Sequence, residues 1–177
     1  ATQIYYRGIP FSLIPTTLLS MADSSIGAKC GINLGAHKNQ LGVFHSPKKV
    51  YISDLFTETL TDLDLASGYG EVLKLSLTGS QRHFETLSNF VESSGLRNAG
   101  ILDLICESLE VKKAVIEADE YEADLRRILN YGHTFGHALE GITQHEIPHG
   151  LAVAWGIDLI NYLSVKKGIL PLAEFHR

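Results

Sequence analysis

Cysteine is scarce: Cys30 and Cys106 are the only two in 177 residues. Two cannot build the dense cross-linked framework of a small secreted domain, and they lack zinc-site spacing. Long apolar runs are missing as well. No stretch of about 18 apolar residues offers a transmembrane helix, and no signal-peptide pattern is visible. Basic residues are in the minority, 15 Lys and Arg against 20 Asp and Glu, for a net charge of −5. That gives no general nucleic-acid footprint, so any anion the chain holds must meet a local cluster of cations. Internal repeats and low-complexity linkers are absent too. What is present is 45% hydrophobic residues, enough for one globular domain with its own core.

One stretch organises the rest: Leu129-Asn130-Tyr131-Gly132-His133-Thr134-Phe135-Gly136-His137-Ala138-Leu139-Glu140. On a helix, His133, His137 and Glu140 share roughly one face, and Asn130, three before His133, lies on it too. Titratable groups among apolar neighbours are costly unless paired, bonded to a metal or used. An isolated His-x-x-x-His reads equally well as two satisfied core histidines. A further histidine, His149 in Pro148-His149-Gly150, opens a long apolar stretch and shifts the balance.

Residues 9–14 alternate weakly and predict a strand ended by Pro15. Thr16 or Thr17 caps a helix expected to run to about residue 27. A loop then reaches Lys38 and Asn39, residues 49–53 predict a short strand, and 54–60 a turn. Helices are predicted over 64–77, 82–93, about 98–118, and 149 to about 167, the last deeply buried. The third carries Lys112 on its apolar stripe, where a lysine either snorkels outward or meets an anion. Glu71 and Lys74 lie off the stripe of their helix, as an exposed ion pair would. Yet Gly68 and Gly70 cost about 1 kcal/mol each relative to Ala, which predicts that another segment passes very near. The fold class is mainly α, several packed helices with a few short strands.

Residues 129–140 resemble the LNxGHTxGHAxE signature of 3-dehydroquinate synthases, members of the sugar-phosphate cyclases. Pro15-Thr16-Thr17-Leu18-Leu19, Asp23-Ser24-Ser25-Ile26-Gly27-Ala28-Lys29, Lys38-Asn39, Gly70-Glu71-Val72-Leu73-Lys74, Lys112 and Asp119-Glu120 fall in the family's order and spacing. The resemblance covers about residues 7 to 164. It implies the multi-helical C-terminal domain of the dehydroquinate synthase-like fold. Residues 1–15 would end an N-terminal nucleotide-binding half, and 16–177 would be a metal- and substrate-binding domain truncated at its C-terminus. The chain is therefore expected to be an excised piece, inactive alone. The whole protein would be a cytoplasmic lyase of the shikimate pathway and of aromatic amino acid biosynthesis. Its small-molecule partner would be a sugar phosphate, with no nucleic acid and no membrane, and it would form a homodimer when full-length.

The reaction implied is phosphate elimination and cyclisation of 3-deoxy-arabino-heptulosonate 7-phosphate to 3-dehydroquinate, with NAD and a divalent metal, Zn2+ or Co2+. By resemblance Glu71, His133 and His149 are the metal ligands, and such a set leaves an open zinc position suited to catalysis. His137, beside them, is suited to proton transfer. Lys74 binds substrate, Lys112 and Arg126 meet its carboxylate, Lys29 and Asn39 its phosphate, and Asn130 is a polar partner in the same pocket. Thr16, Thr17 and Asp23 face the cofactor, Lys29 and Lys38 lie near the dinucleotide, and Phe56, Thr57, Glu58 and Thr59 pack on its adenosine end.

The chain departs from the family at Ala28 (usually Gly), Thr61 (often Pro) and Leu151 (commonly Glu), and it ends short of a further phosphate-binding lysine. Leu151 would remove a partner from the metal's surroundings. Rival readings are a metal-dependent polyol dehydrogenase, which needs no paired anion-binding lysines, and a non-catalytic metal-binding relative. Other cyclases act on sedoheptulose 7-phosphate or glucose 6-phosphate, which carry no carboxylate for Lys112 and Arg126 to meet.

Overall fold

Thr61 starts the central helix. Its side chain accepts from the Asp64 N–H while the Asp64 carboxylate accepts from the Thr61 N–H, a reciprocal cap that satisfies two otherwise orphaned donors. The helix is α1 (Asp62–Gly79), longer at both ends than its apolar pattern predicts. The structure, a computed structural model, describes residues 2–3, 7–35, 37–97 and 99–176, with the side chains of Asn33, His37, Lys38, Asn39 and Ser94 outside the description.

Five more helices follow: α2 (Gln81–Ser94), α3 (Ile101–Ala118), α4 (His133–Ile142), α5 (His149–Lys166) and the short α6 (Leu172–Phe175). The mainly helical expectation holds. Helix α1 packs on α2, α3 and α5, and α4 packs on α5. Leu18, Met21, Leu65, Val72 and Ile105 form the fully buried heart of the main core. Among the described residues no helix is long and apolar enough to cross a membrane.

The strands are short. β1 (Ser12–Leu13) pairs in parallel with β4 (Lys49–Val50), while β2 (Lys29–Leu34) and β3 (His37–Phe44) form an antiparallel ribbon. Three predictions need correction. Residues 16–27 do not make a continuous helix. They form a brief turn with a π-helical segment, Ser20–Ser24, ended by positive φ at Gly27 (109°) and Ala28 (61°). The expected loop from 27 to 39 is a hairpin arm, because Ile32, Leu41 and Val43 favour extended backbone and find cross-strand neighbours. The 129–140 stretch is not one helix either. Leu125–Asn130 is 3-10, and Gly132 at φ 78° breaks it from α4, so Asn130 does not share the α4 face. The predicted deep burial of α5 holds on one side only. Gly150, Ala152, Val153, Gly156 and Ile157 are buried against α1 and α4, whereas Trp155 is 53% exposed.

The close passage predicted from Gly68 and Gly70 is present. A β-carbon at Gly70 would lie 2.0 Å from the carbonyl oxygen of Gly150, and one at Gly150 would lie 1.7 Å from that of Ser67. The Gly150 N–H donates to Ser67 Oγ at 3.1 Å, which pins the crossing. Helices α4 and α5 meet in the same way, with Gly156 against the Gly132 carbonyl at 2.1 Å from where its β-carbon would be. Backbone on both sides leaves no flexible neighbour to yield. Gly70→Ala and Gly150→Ala are each expected to destabilise the protein by about 3 kcal/mol or more, beyond ordinary overpacking. Chemical denaturation measures this, and a loss below about 1 kcal/mol would show that the helices can separate cheaply.

Candidate functional site

The α1–α5 crossing places Glu71, next to Gly70, and His149, next to Gly150, face to face. Glu71 is 1% exposed. Its Oε1 lies 3.1 Å from His149 Nε2 and 3.7 Å from His133 Nε2, at the first residue of α4. The far nitrogens of both rings already have acceptors. His133 Nδ1 is 3.3 Å from the Tyr131 carbonyl, and His149 Nδ1 is 3.1 Å from Glu140 Oε2. A neutral imidazole with its proton on Nδ1 presents a lone pair at Nε2. Two lone pairs and a carboxylate oxygen thus converge, for Glu71 Oε1 receives no hydrogen bond of good geometry while Oε2 faces the Lys74 ammonium. Such a group repels itself unless a cation lies within it. Ligands about 2.0–2.2 Å from a tetrahedral zinc stand roughly 3.3 Å apart, between the two separations seen here. The donor set fits a divalent metal.

His137 joins the cluster from one turn further along α4, its ring centroid 5.2 Å from that of His133 and 5.7 Å from that of His149. One ligand nitrogen from each of the three histidines falls within 4.8 Å of the others, so a three-histidine set is the other arrangement available. Burial separates the roles: Glu71 is enclosed, while His137 is exposed at the rim. Burial holds the His133 pKa below its ordinary value, against the pull of Glu71. Contact with Glu71, helped by Glu140, pushes His149 up.

Beneath the cluster lies a buried charge network. Lys74 Nζ is 2.5 Å from Glu71 Oε2 and 2.7 Å from Asp23 Oδ2. Lys112 Nζ bonds the other Asp23 oxygen and, at 2.6 Å, the Asp23 carbonyl. The exposed ion pair expected of Glu71 and Lys74 is therefore wrong, because α1 is enclosed on that side by the 20–24 turn and by α5. Lys112 does not snorkel; the anion it meets is Asp23. Burial would raise the Asp23 pKa, but the charges of Lys112 and Lys74 and the hydrogen bond from Lys112 outweigh it and hold Asp23 far below the usual carboxylate range.

Asp23, Glu71, Lys112 and the three histidines border a cleft of about 810 Å³, lined also by Lys29, Arg126, Asn130 and the β2–β3 arm. Lys74, expected to bind substrate, is buried behind Glu71 and is not among the lining residues. Arg126, 3% exposed, donates to the Gly27 and Glu120 carbonyls. Lys29 pairs with Glu122, whose other oxygen accepts from Asn130 Nδ2 at 2.7 Å. Metal, proton-transfer and carboxylate-binding candidates are thus gathered in one place. The cofactor candidates are not. Asp23 and Lys29 line the cleft, but Thr17 is engaged with Ser20 at its turn, and Thr16 is exposed beside it. Thr57 and Glu58 border a separate cavity of about 390 Å³, with Phe56 and Thr59 on the same 3-10 helix, Asp54–Thr59. The side chains of Lys38 and Asn39, on β3, lie outside the described residues.

Two groups escaped the sequence reading. Glu140 was visible on the histidine face but had no role there, and it supplies the carboxylate that His149 needs without any help from position 151. Glu122 had no signal beyond sitting in an acidic run.

A helical domain with a metal-binding type of cluster beside a cation-lined cleft is the class of protein defined here. Residues 68–177 match the family model described as 3-dehydroquinate synthase C-terminal, and residues 1–67 the model described as 3-dehydroquinate synthase N-terminal. The chain belongs to the 3-dehydroquinate synthase family. The two models meet inside α1. The 3-dehydroquinate synthase of Streptococcus pyogenes serotype M6 is 41% identical over 168 residues, 94% of this chain and 46% of the relative. That of Helicobacter pylori strain P12 is 41% identical over 178 residues, 100% of this chain and 50% of the relative. The chain thus spans about half the length of the curated relatives it matches. Among solved structures, 2-epi-5-epi-valiolone synthase from Streptomyces hygroscopicus subsp. jinggangensis, with NAD+ and Zn2+ bound, superposes with a TM-score of 0.87 at 30% identity, over 99% of this chain and 49% of that one. A 2-deoxy-scyllo-inosose synthase complexed with carbaglucose-6-phosphate, NAD+ and Co2+ gives 0.89 at 26% identity, over 99% and 48%.

Asp23 is the hinge of the charge network, and its removal would leave Lys74 and Lys112 underpaired. Asp23→Asn is expected to cost about 3–5 kcal/mol at neutral pH. A depressed carboxylate stabilises fully above its unfolded value, about 3.9, and loses that contribution as pH falls towards the folded value. The gap between wild type and Asp23→Asn should accordingly narrow below about pH 4. Denaturation midpoints across the acid range test this, and a gap constant with pH would exclude the charge as its source.

Proposed function

We propose that the whole protein is a 3-dehydroquinate synthase, an NAD- and metal-dependent lyase that eliminates phosphate from 3-deoxy-arabino-heptulosonate 7-phosphate and closes the ring of 3-dehydroquinate. The observation that carries this reading is the convergence of Glu71 Oε1 with the Nε2 atoms of His133 and His149 beside a cleft lined by Lys112 and Arg126. The names of the relatives and the ligands in the two cyclase structures support it. In this reading residues 1–15 end the nucleotide-binding half and 16–177 form the metal- and substrate-binding domain. A bound nicotinamide would exchange a hydride with the substrate, and the metal would polarise the hydroxyl being oxidised.

This chain's own residues divide the remaining work. Glu71, His133 and His149 hold the metal, with Lys74 on Glu71 Oε2 leaving Oε1 directed inward. Lys112 spends two of its three donors on Asp23 and keeps one for the cleft. Arg126, whose planar fork suits a carboxylate, stands with it. Lys29 takes the substrate phosphate by releasing Glu122, with Asn39 as its partner, and Asn130 is the polar partner beside Lys112 and Arg126. His137, at the rim and outside the ligand set, moves the proton. Among the described residues, those assigned to NAD beyond Asp23 and Lys29 stand apart from the cleft, and in this reading the dinucleotide site is completed by the nucleotide-binding half.

Glu71→Ala, His133→Ala and His149→Ala should each sharply reduce metal content, with His137→Ala sparing it. Elemental analysis showing equal loss in His137→Ala and none in Glu71→Ala would select the three-histidine set instead. In the full-length protein the carboxylate-bearing substrate should outcompete sedoheptulose 7-phosphate. Arg126→Ala should lower its use by an amount equivalent to about 2–5 kcal/mol. Faster cyclisation of sedoheptulose 7-phosphate would refute the substrate assignment.

A further inference from the structure

Glu140 is 3% exposed on α4, one of the ten buried polar or charged residues described. A buried carboxylate costs free energy unless it is paired. Its Oε2 is 3.1 Å from His149 Nδ1, and its Oε1 is 3.9 Å from Nδ1 of the exposed His145. The backbone is bent to allow this. After α4 the chain passes through Gln144 and His145 with φ of 51° and 65°, left-handed values that non-glycine residues seldom adopt. The His145 N–H closes the turn on the Glu140 carbonyl at 2.8 Å. The reversal brings the first residue of α5 back beside the last turn of α4.

We propose that Glu140 is the positioning residue for His149: its carboxylate accepts the Nδ1–H of that ring, fixes tautomer and rotamer together, and so aims the Nε2 lone pair at the point where Glu71 and His133 converge. This rests on the reading of His149 as a metal ligand. The α1–α5 crossing sets where the His149 backbone sits, but not which ring nitrogen faces inward. The other tautomer would turn an N–H towards Glu71 Oε1 and satisfy it as an ordinary hydrogen bond, and a flipped ring would put a C–H where the Nε2 lone pair stands. Glu140 excludes both, because only an Nδ1–H can serve its acceptor oxygen. It touches neither cleft nor substrate and acts through the histidine alone.

The test uses the full-length protein with labelled histidine, as wild type, Glu140→Met and Glu140→Ala. Nitrogen-resolved NMR of the metal-free protein, at a pH where the rings are neutral, reports the His149 tautomer. Competition against a chromophoric chelator reports zinc affinity. Wild type should hold the Nδ1–H form. Both variants, which lack the acceptor oxygen, should mix tautomers and bind zinc about 10–100-fold more weakly. Glu140→Met keeps the side-chain length and carries the test if Glu140→Ala fails to fold. An unchanged tautomer in Glu140→Met, or zinc bound as tightly as in wild type, overturns the proposal. If wild type binds no zinc, the metal reading fails, and the tautomer comparison still decides whether Glu140 sets the ring.

Discussion

The carbonyl of Gly150 lies where a β-carbon of residue 70 would be, and much of the site follows from that contact. Two helices can approach so closely only where both lack side chains. The neighbours of the two glycines are then forced together, which brings a carboxylate on α1 within 3.1 Å of an imidazole on α5. The second glycine crossing, Gly132 against Gly156, docks α4 on the same helix and delivers His133 to the same point. Glycine is a poor helix former, costing about 1 kcal/mol relative to Ala at each interior position. Here that cost is offset by a geometry that no larger residue permits.

The charges under the cluster obey a different constraint. Asp23, Glu71, Lys74 and Lys112 are all nearly inaccessible, and their formal charges cancel. Isolated, any one of them would carry a heavy desolvation penalty; together they are tolerable because each ammonium meets at least one carboxylate. The π-helical segment at Ser20–Ser24 is the local consequence. It turns Asp23 inward between the two lysines, with Ala28 held in a left-handed conformation just beyond. The usual glycine of the family at position 28 would adopt that conformation without strain.

The polar partners at the rim link separate elements. Glu122 ties Lys29, at the start of the β2–β3 arm, to Asn130, at the end of a 3-10 helix. Arg126 reaches back to the Gly27 carbonyl, 99 residues away in sequence. The arm is therefore anchored at its base by Glu122 and by a cation of the cleft, Arg126.

Local sequence determined the helices, because apolar residues at a 3.6-residue period and glycine or proline at the ends act within a few positions of one another. The histidine motif and its order relative to Glu71 and His149 were equally legible, and so was the need for a close neighbour at Gly70. Pattern alone misplaced Glu71 and Lys74 on the surface, and it left Lys112 undecided between solvent and an anion. It also drew a continuous helix through Asp23 and another through Asn130. Those outcomes depend on which segments lie opposite. Lys112 and Asp23 are 89 residues apart, and Gly150 and Ser67 are 83 apart. Periodicity carries no information at such separations. Only the packed structure decided that α1 would be enclosed on its charged side, that Asp23 would be the anion for both lysines, and that Glu140 rather than residue 151 would hold the ring of His149. The reason is that burial and pairing are properties of the neighbours, which tertiary contact alone supplies.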